Sequence, residues 1–256
     1  MKYITDQVKW GIIGAGDVCE KKSGPAFSKV PNSKLIAVMR RNIEKAKDYA
    51  RRHKVSGYYN SASALINDPD INAVYIATPP VYHEEYALQA MQAGKPVYIE
   101  KPVTLNARSC QNLIDKSADY GIPVSVAHYR RRLPLFLKAK ELIERNEIGE
   151  VQLVSIRMLQ SAQNQLIADS NEFWRIKPEI SGGGLFHDLA PHQLDILCWL
   201  FGKPESYSGK SFNQGKLYNA PDLTLLNAVF QEEIVFSGFW SFNVSENNQR
   251  DQCEIF

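Results

Sequence analysis

The sequence has little cysteine, no long apolar run and no excess of charge of either sign. Its four cysteines lie far apart without a CxxC pair, which argues against a disulfide framework or a zinc knuckle. No apolar run approaches the ~20 residues that span a bilayer, and residues 1–10 lack the pattern of a signal peptide. With 30 basic and 28 acidic residues, the charge balance favours neither nucleic acid nor an anionic membrane surface as a partner. These absences predict a cytoplasmic protein with small-molecule partners.

The first half of the chain alternates short apolar runs with amphipathic stretches. The strand-like runs are residues 8–13, 35–39, 73–77, 96–99 and 123–127, and the helical patterns are 43–53, 61–67, 84–93 and 107–120. Repeated strand–helix alternation predicts an α/β fold with a doubly wound parallel sheet and right-handed crossovers. We expect this Rossmann-type domain to occupy residues 1–128.

The pattern changes after about residue 129, and residues 129–256 read as a separate α+β domain. Residues 135–146 and 192–201 are helical patterns, and 151–159 alternates as a strand does. Residues 223–230 and 234–242 predict an antiparallel hairpin. The last five residues again look like a strand with no partner after it, so we expect this domain to be incomplete at its C-terminus.

A glycine-rich turn follows the first predicted strand. In Gly14-Ala15-Gly16-Asp17-Val18-Cys19 the paired glycines allow backbone N–H groups to approach a pyrophosphate at the start of a helix. The third fingerprint position holds Cys19, so the motif is GxG rather than GxGxxG. Gly14, Gly16, Asp17 and Val18 are candidate dinucleotide-binding residues, and a purely structural turn is the alternative.

The end of the second predicted strand is the position at which dinucleotide-binding folds select their cofactor. An acidic residue there would hold the ribose 2′-hydroxyl of NAD, but this chain has Arg40 and Arg41. Two guanidinium groups can bind a 2′-phosphate, which favours NADP while leaving NAD possible. A solvated basic helix start is the alternative.

Two further strand ends have polar residues suited to chemistry. The strand at 97–99 leads into Glu100-Lys101-Pro102, and the carboxyl end of a parallel strand is where ligands bind. A surface lysine before a turn is the alternative for Lys101. His83 follows the Thr78-Pro79-Pro80 turn and is a candidate for contact with cofactor or substrate, or a residue that only begins a helix.

A third group of candidates follows Gly182-Gly183-Gly184. If the segment is helical, Asp188 and His192 lie four residues apart on one face of the helix. The histidine can then take a proton from an alcohol, and the aspartate can orient the imidazole ring. A structural histidine with a capping aspartate is the alternative. A metal site would use His187 as well, but the spacing matches no recognised ligand motif, and we expect no metal.

Taken together, these motifs resemble the Gfo/Idh/MocA family, named for glucose-fructose oxidoreductase, inositol dehydrogenase and a rhizopine catabolism protein. The resemblance spans nearly the whole chain. The matching elements are Ile12-Ile13-Gly14-Ala15-Gly16, Ala77-Thr78-Pro79 with His83, Gly94-Lys95-Pro96 leading to Glu100-Lys101-Pro102, and the triple glycine with Asp188, His192 and Asp195.

The resemblance implies a Rossmann domain followed by a domain with an open, mostly antiparallel sheet that often serves oligomerisation, so a homo-oligomer is expected. Lys101, Asp188 and His192 match the family's catalytic trio. The resemblance also implies a cis peptide bond before Pro102 and substrate contacts from three residues. These are Tyr129, Trp174 and Arg175. Thr78, Pro79, His83, Glu100 and Lys101 complete the expected cofactor-binding set.

The function expected from this resemblance is hydride transfer between a nicotinamide and a sugar, polyol or related carbonyl or hydroxyl substrate. An NAD-dependent glycosidase on the same scaffold is one alternative, and a non-catalytic NADP-binding regulatory protein is another. The polar segment 160–180, with Gln163, Asn164 and Asn171, is predicted to line the substrate pocket.

Overall fold

The structure is a computed structural model that describes residues 6–162, 174–231 and 233–256. The chain divides into two compact units, Met1–Ala127 and His128–Phe256. Each unit is built on its own β-sheet. Within the described residues, no helix is both long and apolar enough to cross a membrane.

The first unit contains a six-stranded sheet in which every pairing is parallel. Its strands are β1 (Val8–Ile13), β2 (Ser33–Met39), β3 (Gly57–Tyr59), β4 (Ala73–Ile76), β5 (Val97–Ile99) and β6 (Val124–Val126). The order β3-β2-β1-β4-β5-β6 reverses direction between β1 and β4. The predicted doubly wound parallel sheet is therefore confirmed, and ligands bind such sheets at the carboxyl ends beside this reversal.

Six helices connect these strands. They are α1 (Asp17–Lys21), α2 (Ser23–Phe27), α3 (Ile43–His53), α4 (Ala62–Ile66), α5 (His83–Gln92) and α6 (Ala107–Tyr120). Asn42 and Asn106 cap the starts of α3 and α6 by accepting from backbone N–H groups three residues on. Gly121 ends α6 in the left-handed conformation that glycine adopts without steric cost.

Both faces of the parallel sheet are buried. Ile13, Met39 and Ile76 contribute to one apolar cluster with α4, α5 and α6. Their sequence neighbours Ile12, Val38 and Tyr75 contribute to a second cluster with α1, α2 and α3. Successive strand residues point to opposite faces, so each central strand feeds two cores at once.

The second unit contains a five-stranded sheet. Its strands are β7 (Leu153–Ser161), β8 (Ser206–Phe212), β9 (Leu223–Phe230), β10 (Ile234–Val244) and β11 (Arg250–Ile255). In the order β11-β7-β10-β9-β8, only β7 and β10 pair in parallel. The predicted hairpin is confirmed as β9 and β10, and so is the mostly antiparallel second sheet of the fold class.

Among its described residues, this unit has the helices α7 (Pro134–Glu144), α8 (Pro178–Ser181), α9 (Gly184–Leu189) and α10 (Pro191–Phe201). Leu185 of α9 and Leu197 and Phe201 of α10 pack with one face of the sheet in a single apolar cluster. A helix interior does not tolerate proline, and the boundary between α9 and α10 falls at Ala190, just before Pro191.

The last strand of the chain is paired on one of its two sides. β11 pairs antiparallel with β7 along its length, for example Cys253 with Ile156. In the part of the chain that the structure describes, the other side of β11 is an edge of the sheet. The final residue also belongs to this pairing, because the Phe256 amide donates to the Leu153 carbonyl at 2.8 Å.

Candidate functional site

The turn after β1 contains Gly14 and Gly16, and a different physical requirement accounts for glycine at each position. Gly14 has φ +88°, and a Cβ there would lie 2.7 Å from Thr78 Cγ2 and 2.8 Å from the Thr78 amide nitrogen. The close approach of the Thr78 turn therefore accounts for Gly14. A Cβ on Gly16 would meet nothing nearer than the Gly14 carbonyl oxygen at 3.9 Å. Gly16 thus faces open space at the start of α1, which fits a ligand that approaches the backbone.

Cys19, at the third position of the fingerprint, serves the core. Its side chain is fully buried, and burial raises the pKa of the thiol to about 12. The Tyr49 hydroxyl donates to the Cys19 carbonyl oxygen at 2.9 Å. The neutral thiol and this hydrogen bond attach α1 to α3. Since α1 has only five residues, its backbone dipole contributes little to anion binding, and the turn itself is the better candidate.

Arg40 and Arg41 lie at the end of β2, which pairs with β1. The Arg40 amide donates to the Tyr59 carbonyl at 3.1 Å, which places this residue beside β3. Arg41 is exposed, and its guanidinium carbon lies 5.6 Å from the centre of the Tyr82 ring. This distance is within the range of a cation–π contact. The structure thus brings a basic pair to the carboxyl edge where β1 ends in the glycine turn.

His83 lies inside the turn region rather than on its surface. The side chain is fully buried, with Nε2 2.7 Å from the Thr78 carbonyl oxygen. Nδ1 is 3.0 Å from the Pro102 carbonyl oxygen and 3.2 Å from that of Val103. Burial lowers the pKa of His83 more than these hydrogen bonds raise it. His83 joins the ends of β4 and β5, while a contact with cofactor or substrate stays a prediction.

The Glu100-Lys101-Pro102 segment leaves β5 at the same edge. The peptide bond between Lys101 and Pro102 is cis, as the resemblance implies. The Glu100 carboxylate accepts a hydrogen bond from the Tyr75 hydroxyl through one oxygen, and its other oxygen lies 3.3 Å from the Lys101 amide. Thr78, Pro79, Glu100 and Lys101 are all half-buried. They are therefore accessible in part from the carboxyl edge of the sheet.

In the second unit, Asp188 and His192 belong to two successive helices, and each makes an interaction with an expected substrate residue. Asp188 on α9 is 6% exposed, and its Oδ2 lies 3.0 Å from Arg175 Nε. His192 on α10 is 7% exposed, and its ring contacts Tyr129 edge to face at 5.6 Å between centroids. The Arg175 guanidinium in turn stacks at 4.6 Å on Trp174. These five side chains form two groups. One contains Asp188, Arg175 and Trp174, and the other contains His192 and Tyr129.

The triple glycine serves the backbone between α8 and α9. Gly182 ends α8 with φ +90°. Gly184 has φ +79°, and a Cβ there would lie 2.5 Å from the Cβ of Ala220. The chain path and the Ala220 contact therefore account for two of the three glycines without a ligand. Within the described residues no group of three metal-ligating side chains occurs, and Gln163, Asn164 and Asn171 lie outside them.

Two residues of α10, Asp195 and Gln193, make polar contacts that the motifs did not reveal. The Arg131 guanidinium donates to the Asp195 carboxylate through Nε at 2.8 Å and through Nη2 at 2.5 Å, and this pairing raises the pKa of Arg131. Gln193 accepts from Trp240 Nε1 at 2.7 Å and donates to Asp251 at 3.2 Å. Asp195 was part of the quoted motif, but nothing near it in the sequence indicates a partner 64 residues away.

Two family profiles together match most of the chain. The profile described as "Oxidoreductase family, NAD-binding Rossmann fold" matches residues 8–128, and the GFO/IDH/MocA C-terminal domain profile matches residues 136–256. The chain is also 47% identical over 97% of its length to Oxidoreductase P35 of Formosa agariphila, of which it covers 76%. The chain belongs to the Gfo/Idh/MocA oxidoreductase family.

Other members of the family are more distant. Levoglucosan dehydrogenase of Pseudarthrobacter phenanthrenivorans is 36% identical over 68% of this chain. The chain spans 44% of that protein's length, 60% of the length of trans-1,2-dihydrobenzene-1,2-diol dehydrogenase of Xenopus tropicalis and 48% of that of an oxidoreductase of Synechocystis. The crystal structure of the WlbA dehydrogenase of Bordetella pertussis, in complex with NADH and UDP-GlcNAcA, matches with a TM-score of 0.87 at 22% identity. That match covers 98% of this chain and 75% of WlbA, and it supports the fold.

Proposed function

We propose that the chain is an NADP-preferring oxidoreductase that transfers a hydride between the nicotinamide and a hydroxyl-bearing carbon of a sugar, polyol or related substrate. The observation that carries the proposal is the pair Asp188 and His192, each buried and each in contact with an expected substrate residue. A buried carboxylate and imidazole of this kind suit acid–base chemistry on a hydroxyl group. The names of the dehydrogenases among its relatives support the substrate class.

The residues of the first unit fit a dinucleotide. Gly14 and Gly16 would shape the turn so that a pyrophosphate can approach it, since the space beside Gly16 is open, and the backbone N–H groups of Asp17 and Val18 would donate to that pyrophosphate. Arg40 and Arg41 would bind the 2′-phosphate, because guanidinium groups bind phosphate with two parallel hydrogen bonds. The remaining contacts would come from the half-buried edge residues. These are Thr78, Pro79, Glu100 and Lys101.

The bound nicotinamide supplies the hydride chemistry. We assign His192 to remove the hydroxyl proton with a ring nitrogen, and Asp188, held by Arg175, to orient the substrate or the imidazole. The Lys101 ammonium group stabilises the negative charge that develops on the substrate oxygen. General acid–base catalysis of this kind contributes about 10²- to 10⁴-fold in rate.

Titration of the purified chain with NADPH and with NADH, followed by fluorescence, tests the cofactor. We expect tighter binding of NADPH, and a loss of that preference in the variant Arg40→Ala/Arg41→Ala. Arg108→Ala is a control that removes a guanidinium group from α6. Binding of neither dinucleotide would overturn the proposal, and equal binding of both would reject the NADP preference alone.

Turnover of a sugar and polyol panel tests the reaction. His192→Ala should lose turnover by about 10²-fold or more and keep the Kd for NADPH, because the imidazole acts on the substrate proton. A large loss of NADPH binding in this variant would contradict the assigned role. NADPH binding by the wild type without turnover of any panel member would favour a regulatory dinucleotide-binding protein instead.

The exposed face of the five-stranded sheet supports a homo-oligomer. Val235 and Phe239 on β10 and Leu153 on β7 are 50%, 40% and 39% exposed, and β7 and β10 are paired. Apolar side chains exposed together on one face of a sheet often belong to a protein–protein contact. Light scattering after size exclusion should show a dimer or larger assembly, and Val235→Lys/Phe239→Lys should yield a monomer. A wild-type monomer at all concentrations would refute this proposal.

A further inference from the structure

We propose that Tyr75 is a positioning residue of the dinucleotide site, which acts by holding the carboxylate of Glu100 where the chain turns into Lys101. The inference rests on the proposed function. Tyr75 belongs to none of the sequence motifs and lies within β4, a fully buried strand. The observations that support it are its burial, its ring contacts and its hydrogen bond.

The Tyr75 side chain is fixed in the core of the first unit. It is fully buried on β4. Its ring meets Phe27 edge to face at 5.1 Å and stacks on Tyr98 at 5.4 Å between centroids. Because the ring is packed on two sides, it cannot rotate or shift freely, and its hydroxyl is held at one position. The hydroxyl position is therefore set by the aromatic cluster and not by the site.

That hydroxyl donates to Glu100 Oε1. The second carboxylate oxygen lies 3.3 Å from the Lys101 amide, and the Glu100 amide donates to the Ile76 carbonyl at 2.9 Å. The carboxylate and the backbone of Glu100 are thus both attached to neighbouring groups. Glu100 is the last residue before the proposed catalytic Lys101, so a shift of Glu100 is passed directly to that backbone.

The hydroxyl remains a donor across the working pH range. Burial raises the pKa of Tyr75, and the negative charge of Glu100 raises it further. In an aromatic cluster of this kind phenylalanine would pack without any need for a polar partner, whereas a buried hydroxyl requires one. The presence of tyrosine is explained if the bond to Glu100 has a use. Glu100 is half-buried at the edge where the cofactor is proposed to bind.

The test is a set of hydroxyl deletions combined with a double-mutant cycle. Tyr75→Phe removes one oxygen and keeps the ring, and Tyr98→Phe is the matched control because it makes the same deletion in the neighbouring ring. The Kd for NADPH is measured in both, in Glu100→Ala and in the double variant Tyr75→Phe/Glu100→Ala. For a sugar that the wild type turns over, kcat and KM are measured as well.

We expect Tyr75→Phe to weaken NADPH binding or lower kcat by roughly tenfold, about the effect of one hydrogen bond to a charged group, with the sugar KM within twofold. Tyr98→Phe should stay within twofold of wild type. In the Glu100→Ala background, Tyr75→Phe should cause no further loss, since its effect passes through that carboxylate.

A Tyr75→Phe variant that is less stable to urea, yet has wild-type Kd and kcat, would overturn the inference and leave a structural hydrogen bond. Fully additive losses in the double variant would overturn it too. Failure of the wild type to bind either dinucleotide is a different outcome. It would remove the proposed function and this role with it, whereas the first two results leave the proposed function intact.

Discussion

In Met1–Ala127 the sheet is covered on both faces, whereas in His128–Phe256 one face is covered and Val235 and Phe239 lie partly exposed on the other. The parallel sheet needs crossover helices, which bury both of its faces. The mostly antiparallel sheet is joined in part by a hairpin, which needs no helix across the sheet. One face of that sheet can therefore remain uncovered.

The candidate residues also lie on different kinds of element in the two units. In the first unit they lie on turns at the carboxyl ends of strands, as with Gly14, Lys101 and the basic pair after β2. In the second unit Asp188 and His192 lie on helices that pack on the covered face of the sheet. The exposed face of the second sheet has none of the proposed catalytic residues. It is therefore free to take part in association without disturbing the chemistry.

The largest expected effect separates the two faces of β10. Phe236 is 1% exposed and packs in the apolar cluster, while Phe239 is 40% exposed. Phe236→Ala should lower the free energy of unfolding by about 3–5 kcal/mol, because it leaves a cavity. Phe239→Ala should cost about 1 kcal/mol or less in the monomer. Urea unfolding of both variants measures the contrast, and equal losses would show that both faces of the second sheet are covered.

The next effect concerns the turn after β1. Gly14→Ala should lower the free energy of unfolding by about 2–3 kcal/mol, because a Cβ meets Thr78 and φ is positive. It should also weaken NADPH binding, since the turn is displaced. Gly94→Ala is the matched control: φ is +72°, but nothing lies within 4 Å of the added Cβ. The control should cost about 1 kcal/mol and keep NADPH affinity. Identical behaviour of the two variants would refute the steric argument.

A smaller effect is expected at the buried amide beside His192. Trp240→Phe keeps an aromatic ring in the cluster but removes the donor to Gln193 Oε1. The free energy of unfolding should fall by about 1–3 kcal/mol, because the buried Gln193 Oε1 loses its donor. Thermal or urea unfolding measures it. Trp199→Phe is the comparison, because Trp199 is a half-buried tryptophan on the same helix as Gln193. A greater loss of stability in Trp199→Phe than in Trp240→Phe would contradict the role of the hydrogen bond to Gln193.

The smallest effect depends on pH. Glu20 lies 2.6 Å from Arg52 and 2.7 Å from His53, and the hydrogen bond with Arg52 is the main cause that lowers the Glu20 pKa to about 2. A carboxyl whose pKa is lowered by folding stabilises the protein above its ordinary pKa and loses that contribution as the pH falls toward 2. Because these side chains are partly exposed, the contribution is about 1 kcal/mol.

Glu20→Gln should therefore be less stable than wild type at pH 6 and equal to it near pH 2, as measured by urea unfolding across this range. Glu44→Gln, on the exposed side of α3, is the control and should change little at either pH. A stability difference that persists unchanged to pH 2 would show that the Glu20 carboxylate contributes by packing and not by its charge.

Some elements were predictable from the sequence because their signals are local. Apolar runs mark β1 and β4, Asn106 and Gly121 mark the two ends of α6, and the short polar loop marks the β9–β10 hairpin. β3 and β8 gave no such signal. Both are edge strands, and β8 is almost fully exposed, so no apolar alternation distinguishes it from a loop.

The candidate site divides in the same way. Motif spacing indicated Gly14, Lys101, Asp188 and His192, because these residue types serve chemistry that few other types can serve. It did not indicate the burial of His83 among backbone carbonyls. Nor did it indicate that Gly184 is required by its close approach to Ala220, which an added Cβ would clash with.

The sequence by itself determined most of the strand–helix alternation and the glycine turn, since each depends on residues close together in the chain. It also determined the family, since the family's motifs follow one another in order along the chain. Only the tertiary structure decided which side chains hold these residues in place. Tyr75 reaches Glu100 across 25 positions and Arg131 reaches Asp195 across 64, and each pair forms because packing of strands and helices brings distant segments within hydrogen-bond distance. Such contacts depend on the packing of the whole unit, and no local pattern encodes them.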